Sequence, residues 1–280
     1  MNNSIYPCLT IKGKIAEAAA LYADVFGAKT VQSSPIVNIL EIDGQKLMLL
    51  NDGPTSKPNP AISFMFSNEH KEATEACWNK LTEGGKVLMP LDSYPWSSYY
   101  GWVEDKYGVN WQLITNKEEL PIQRFSPTLM FVGDNAGKAA AAISFYTQLF
   151  PQSNVRGILK YGEGEGDNTD YIKHAQFSVN GYVMMAMDSS HAHHFTFVDA
   201  VSLVAACNTQ EEIDRYWETL TSEGGKEIAC GWLVDKYGVS WQIVPANLGA
   251  LMSKGGEKAQ RVMSALLKMK KLVIKDLENA

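Results

Sequence analysis

The chain is expected to fold as an α+β protein of two tandem domains followed by a C-terminal helix, and three observations predict this. A fourteen-residue block, GWVEDKYGVNWQLI at 101–114, returns almost intact as GWLVDKYGVSWQIV at 231–244. The pieces around it recur in the same order. PCLTIKGKIAEAAALYADVFG (7–27) answers PTLMFVGDNAGKAAAAISFYTQLFP (127–151), and GQKLMLLND (44–52) answers GYVMMAMDS (181–189). AISFMF (61–66) answers AVSLVA (200–205), and WNKLTEGGK (78–86) answers WETLTSEGGK (217–226). Within each copy the hydrophobic period alternates between helical and extended spacing as strand, helix, three strands, twice over. Domains are therefore expected at 1–118 and 125–248, linked through NKEELPIQRF, with 249–280 as a helical tail outside the repeat.

The first helix carries Ile15, Ala18, Ala19, Tyr22, Val25 and Phe26 on one stripe, and Gly27 stops it. VNILEID and QKLMLLND, hinged at Gly44, read as a hairpin. HKEATEACWNKLTEGG reads as a second amphipathic helix ending at Gly84-Gly85. YGWVED, a turn at Lys106-Tyr107-Gly108, and VNWQLI close the half as a second hairpin. Each half is thus two βαβββ units, with helices on one side of a curved sheet.

Composition narrows the function classes. The 280 residues carry a net charge of −6, which disfavours nucleic acid as a partner. The one basic cluster, Lys268, Lys270 and Lys271, reads as a solvated helix face. The four cysteines have no C-x-x-C spacing and read as reduced thiols. No signal peptide is read in MNNSIYPCLT, and no apolar run approaches the roughly 18 residues of a membrane helix. A cytoplasmic protein without membrane contact is expected.

Strand parity separates the roles of the repeated block. In VNWQLI one face carries Val109, Trp111 and Leu113, and the other Asn110, Gln112 and Ile114. The apolar face packs on a helix, so Trp111 and Trp241 are core residues. Gln112 and Gln242 then face the opposite side, where a buried amide needs a protein, water or ligand partner.

The βαβββ unit used twice per half, ending in DKYG(V)xWQ, resembles the vicinal-oxygen-chelate superfamily of glyoxalases, bleomycin-resistance proteins and extradiol dioxygenases. CGWLVDKYGVSWQIVP (230–245), followed by EKAQRVMSALLKMKKLVIKDLE (257–278), resembles its PhnB-like branch, often labelled 3-demethylubiquinone-9 3-methyltransferase. MPLDSYPWSSYYGWVEDKYGVNWQL keeps that branch's longer loop. The second half has lost it, since fourteen residues separate Lys86 from Gly101 but only four separate Lys226 from Gly231. The resemblance implies glyoxalase-like domains, each a half-open barrel whose cavity holds a small ligand and, in many members, a divalent metal bound by two His and a Glu. By register those slots fall on Pro7, Ala61 and Gln112, and on Pro127, Ala200 and Gln242. Proline and alanine side chains coordinate nothing, so no metal and no cofactor is expected.

The remaining chemistry is sparse. YGEGEGD (161–167) precedes a strand-like run rather than a helix, so it reads as a hairpin tip and not as a cofactor loop. HAHHF (191–195) is the one histidine cluster, with Asp188 and Asp199 as oxygen ligands to consider. A surface loop, or His194 orienting a ligand or acting as an acid–base group, are the readings it allows. Cys230, the counterpart of Tyr100, is a second catalytic candidate, with a small buried residue as the plainer reading. Cavity lining is assigned by parity to Ser63, Met65, Gln112, Ser202 and Gln242, and by position to Trp96, Trp102 and Trp232. A mostly apolar cavity with a few hydroxyls and an amide suits a small, partly apolar molecule.

The expected function is metal-independent small-molecule binding, with the two fused domains forming an intramolecular pseudo-dimer and a further homodimer left open. The alternatives are a metal-dependent lyase, isomerase or dioxygenase with an atypical site, and the methyltransferase of the branch label, which the residues disfavour. The tail, with Val262, Leu266 and Met269 on one stripe, is expected to dock as a helix on a domain or on a partner copy.

Overall fold

The computed structural model describes residues 4–53, 56–116, 123–253 and 255–280. Residues 117–122 of the expected linker lie outside them. The chain forms two compact units, Pro7–Val201, and Ser202–Ala280 together with the residues just before Pro7.

Three βαβββ modules make up the first unit, with β1 counted here from Pro7 on. The first has β1 (Ile5–Thr10), α1 (Ile15–Phe26), β2 (Lys29–Ser33), β3 (Val37–Ile42) and β4 (Gln45–Leu50). The second has β5 (Ile62–Asn68), α2 (Lys71–Thr82), β6 (Lys86–Tyr94), β7 (Ser97–Glu104) and β8 (Asn110–Thr115). The third has β9 (Phe125–Phe131), α3 (Ala139–Leu149), β10 (Asn154–Lys160), β11 (Ile172–Val179) and β12 (Tyr182–Asp188). In the first module β1 pairs parallel to β4, and β4, β3 and β2 follow as antiparallel neighbours.

The second and third modules, which the repeat assigns to different halves, share one eight-stranded sheet in the order β10-β11-β12-β9-β5-β8-β7-β6. Its centre is the antiparallel seam between β5 and β9, running from Ile62 opposite Leu129 to Phe66 opposite Phe125. On either side of the seam a parallel neighbour follows, β8 beside β5 and β12 beside β9. The modules thus meet through their first strands in a two-fold-like arrangement. The helices pack on the face that carries Trp111, which is fully buried against Phe26 at 4.4 Å, Tyr22 at 5.1 Å and Phe64 at 5.4 Å between ring centres.

The structure gives the repeated block a folding role. Asp105 is buried, and its carboxylate accepts from the amides of Tyr107 (2.8 Å) and Val109 (3.1 Å), the Trp111 indole (2.9 Å) and the Tyr22 hydroxyl (2.9 Å). One side chain therefore fixes the turn, the start of β8, the core indole and α1. Burial pushes the carboxyl above its usual pKa, and the donors hold that rise in check. Gly108 sits at φ 85° in this turn, a conformation that glycine adopts without cost.

The second unit holds the fourth module: β13 (Val201–Cys207), α4 (Gln210–Thr221), β14 (Lys226–Glu227), β15 (Trp232–Val234) and β16 (Ser240–Pro245), with sheet order β14-β15-β16-β13. The Ala206 amide bonds Ser4 O at 2.7 Å, bringing the start of β1 to this sheet. Asp235 repeats the staple, accepting from Tyr237 N, Val239 N and the Trp241 indole at 2.9–3.0 Å.

The tail docks on its own chain as three short helices, α5 (Leu248–Ser253), α6 (Gly256–Leu266) and α7 (Ile274–Glu278), rather than as one. Val262 is buried. Lys270 and Lys271 lie beyond α6 and are not a solvated helix face. Lys271 pairs with Asp214 at 2.7 Å, and Lys270 with Glu227 at 3.5 Å.

The tail also takes the place of the loop missing from the second half. In the first unit a Cβ on Gly101 would lie 2.6 Å from the Trp78 ring and 3.0 Å from Leu91 of the long hairpin. In the second, a Cβ on Gly231 would lie 3.1 Å from Leu272, and the amides of Cys230 and Gly231 bond Met269 O and Lys270 O at 2.7 and 2.8 Å.

Candidate functional site

The helix-free face of the eight-stranded sheet carries an in-register row across five strands. Asn110 lies opposite Ser63, Ser63 opposite Thr128, Thr128 opposite Met185, and Met185 opposite Gln176. One step along, Trp102 lies opposite Gln112, and Gln112 opposite Met65. Ser63, Met65, Asn110, Gln112 and Thr128 are all buried.

Hydrogen bonds organise this face. Gln112 donates through Nε2 to Ser63 Oγ at 2.7 Å, and its Oε1 accepts from the Tyr100 hydroxyl at 2.7 Å. Trp102 donates to Asn110 Oδ1 at 3.2 Å. Burial raises the Tyr100 pKa, so at neutral pH the phenol is a donor. Thr128 differs from its neighbours, because its hydroxyl is buried with no partner among the described residues. Such a group costs about 1–3 kcal/mol unless water or a ligand meets it.

Aromatic rings lead from this row to solvent. Tyr94 stacks on Trp96 at 5.0 Å, and both rings stand edge-on to Tyr100, at 5.8 and 6.3 Å. Trp96, at the tip of the β6–β7 hairpin, is 60% exposed. Tyr100 and Thr128 were not singled out as ligand contacts from the sequence. Parity places Thr128 beside Ser63 once β9 is paired with β5, and nothing local in the sequence announces that pairing.

The second unit keeps part of this arrangement. Gln242 donates to Ser202 Oγ at 2.9 Å, with Trp232 half-buried opposite it on β15. Cys230 stands where the first copy has Tyr100, so the phenol that meets Gln112 has no counterpart at this position. Cys230 sits at φ 58° where the tail docks, and burial pushes its thiol above the ordinary pKa, against thiolate chemistry.

The histidine cluster is a loop closed on itself. His193 bonds Ser189 Oγ at 2.9 Å, the His191 and His193 rings are 6.4 Å apart, and His194 is exposed. Asp188 is occupied by the amides of Gly137, Ala139 and Ile172, and Asp199 accepts from Ser56. His174 also points to the helix-free face by parity with Gln176, and burial lowers its pKa below 6.5.

The metal that the resemblance implies does not fit the residues present. Pro127 pairs with Phe64 on the helix side of the sheet, so the first-strand slot belongs one residue later, at Thr128. Strand alternation is the physical reason for this correction. Thr128, Ala61 and Gln112 supply neither imidazole nor carboxylate, and both ends of Gln112 are already bonded. Among the described residues, no group of three or more His, Cys, Asp or Glu side chains could hold a metal.

The sequence profile described as 3-demethylubiquinone-9 3-methyltransferase matches residues 3–114 and 123–244. The chain belongs to this family. Glyoxalase I from Zea mays shares the fold at 14% identity, with a TM-score of 0.59 over 86% of this chain and 92% of that one. A putative 3-demethylubiquinone-9 3-methyltransferase, PhnB protein, from Bacillus cereus is 29% identical over 40% of this chain and 98% of its own, with a TM-score of 0.36. A glyoxalase-related enzyme from Fulvimarina pelagi is 22% identical over 39% of this chain and 86% of its own, with a TM-score of 0.30. Comparison with curated proteins gives no match. In this family member the glycine-rich YGEGEGD segment forms the β10–β11 turn, where Glu165 accepts from Gly162 N and pairs with Lys173. Among the described residues, no helix is long and apolar enough to cross a membrane.

Proposed function

We propose that this PhnB-like protein is a cytoplasmic small-molecule-binding protein that works without a metal. The ligand is small and partly apolar, and it lies against the helix-free face of the first unit's large sheet. The observation that carries this reading is the unpartnered Thr128 hydroxyl beside the Gln112–Ser63–Tyr100 chain. Met65 and Met185 supply adaptable apolar surface on either side, and Trp96 and Tyr94 roof the approach. Trp102, opposite Gln112, supplies an aromatic wall. The Ser202, Trp232 and Gln242 set in the second unit is a reduced copy of the site, lacking the phenol. His194 and Cys230 take no catalytic part in this reading.

Two measurements test it together. Metal analysis of freshly purified protein is expected to find no stoichiometric divalent ion. Thermal shifts against a metabolite panel are expected to find a compound that stabilises chelator-treated protein, because a ligand that binds the native state raises its apparent stability. A stoichiometric metal whose removal abolishes ligand binding contradicts the proposal.

A further inference from the structure

A cavity of about 520 Å³ lies in the first unit, and none of the Gln112-face residues lines it. Five lysines line it, Lys12, Lys14, Lys57, Lys86 and Lys106, against the carboxylates of Glu104 and Asp105. The Asp105 carboxylate is already taken by its four donors. Lys86 and Glu104 are strand partners across β6 and β7. None of the five ammonium groups forms an ion pair among the described residues.

Two further observations point to a ligand. Thr10 and Tyr107 both line the cavity, and both hydroxyls are buried with no partner among the described residues. Thr10 is only 5% exposed, so bulk water does not compensate its hydroxyl. Helix α1 also begins at this wall. Its N-cap is Lys14, which makes no side-chain cap, although Glu17 in the first turn already meets part of the positive end of the helix.

The repeat supplies an internal contrast. Lys236, the counterpart of Lys106, is neutralised by Glu223. Both lysines lie over the neighbouring tyrosine ring, Lys106 over Tyr107 at 5.4 Å and Lys236 over Tyr237 at 5.5 Å, but Glu83, at the matching position in the first copy, forms no ion pair with Lys106 among the described residues. The first copy therefore keeps a free cation where the second spends it on an ion pair.

We propose that this cavity binds a small molecule carrying a multivalent oxyanion, either phosphate or clustered carboxylates, held by Lys12, Lys57, Lys86 and Lys106 with the Thr10 and Tyr107 hydroxyls as neutral donors. Lysines act here as point charges, and the hydroxyls supply direction. The site is separate from the Gln112 face, and neither proposal depends on the other.

Isothermal titration of the full chain with inorganic phosphate, pyrophosphate and citrate tests it. Pyrophosphate or citrate is expected to bind at one site per chain, with affinity falling as salt rises. The Lys12→Ala/Lys106→Ala double variant is expected to bind about tenfold more weakly or worse. Tyr107→Phe is expected to weaken binding less, and Lys236→Ala to leave it unchanged. Both altered lysines are exposed, and circular dichroism confirms that the variants fold. A preference for pyrophosphate over citrate assigns the oxyanion as phosphate, and the reverse assigns carboxylate. No binding of any of the three at millimolar concentration, or binding that the double variant leaves intact, overturns the proposal.

Discussion

The indole of Trp111 donates to the carboxylate of Asp105 at 2.9 Å, and the same bond joins Trp241 to Asp235 at 3.0 Å. The repeated fourteen residues are thus a self-stapling hairpin, in which the aspartate collects donors two, four and six positions downstream. Asp105→Asn would turn an amide toward the Tyr22 hydroxyl and the Trp111 indole, both of which donate to it. A loss of about 2–4 kcal/mol is expected. Urea denaturation measures it, and a loss within error of zero would remove the staple from the account.

Thr128→Val keeps the shape of the side chain and deletes a buried hydroxyl that has no partner. The variant is expected to be more stable than the parent by about 1 kcal/mol in the absence of ligand. Any compound that stabilises the parent through this face should stabilise the variant less. Destabilisation of the ligand-free variant would show that the hydroxyl has a partner in solution.

Tyr100→Phe removes the donor to Gln112 Oε1 and leaves the ring in place among Tyr94 and Trp96. A loss of about 1–2 kcal/mol is expected by denaturant titration, because the Gln112 oxygen stays buried.

His174 gives the stability a defined acid edge. Burial lowers its pKa in the folded chain below the 6.5 of the free side chain. As pH falls through 6.5 the unfolded chain therefore takes the proton first, and stability drops until the folded pKa is passed. Above 6.5 the residue is neutral in both states and contributes no slope. His174→Gln is expected to flatten the fall of the urea midpoint as pH drops below about 6.5. An unchanged slope would assign the acid sensitivity elsewhere, with His193, also lowered by burial, next in line.

Much of this was legible in the chain. The repeat and its strand–helix–three-strand grammar announced the modules, and two-residue alternation set Trp111 and Gln112 on opposite faces of β8. What stayed hidden depends on long-range pairing. Thr128 is read correctly only when β9 is laid antiparallel to β5, and counting from Pro127 put the slot on the wrong face. The Tyr100–Gln112 bond joins residues on neighbouring strands whose side chains are both long, so spacing alone does not announce it. That the second and third modules share a sheet is likewise a tertiary fact, since every module offers the same hydrophobic pattern. Leu272 taking the position of Leu91 beside the repeated glycine could not be seen either, because the two residues stand in unrelated parts of the sequence.

The most direct test is to locate a bound molecule crystallographically in protein soaked with a stabilising compound from the thermal-shift panel. A polar atom of that compound is expected within about 3 Å of Thr128 Oγ1, with its apolar part along Met65 and Met185 and with no metal between ligand and protein. A ligand seated elsewhere, or held to Gln112 through a divalent ion, would contradict the account.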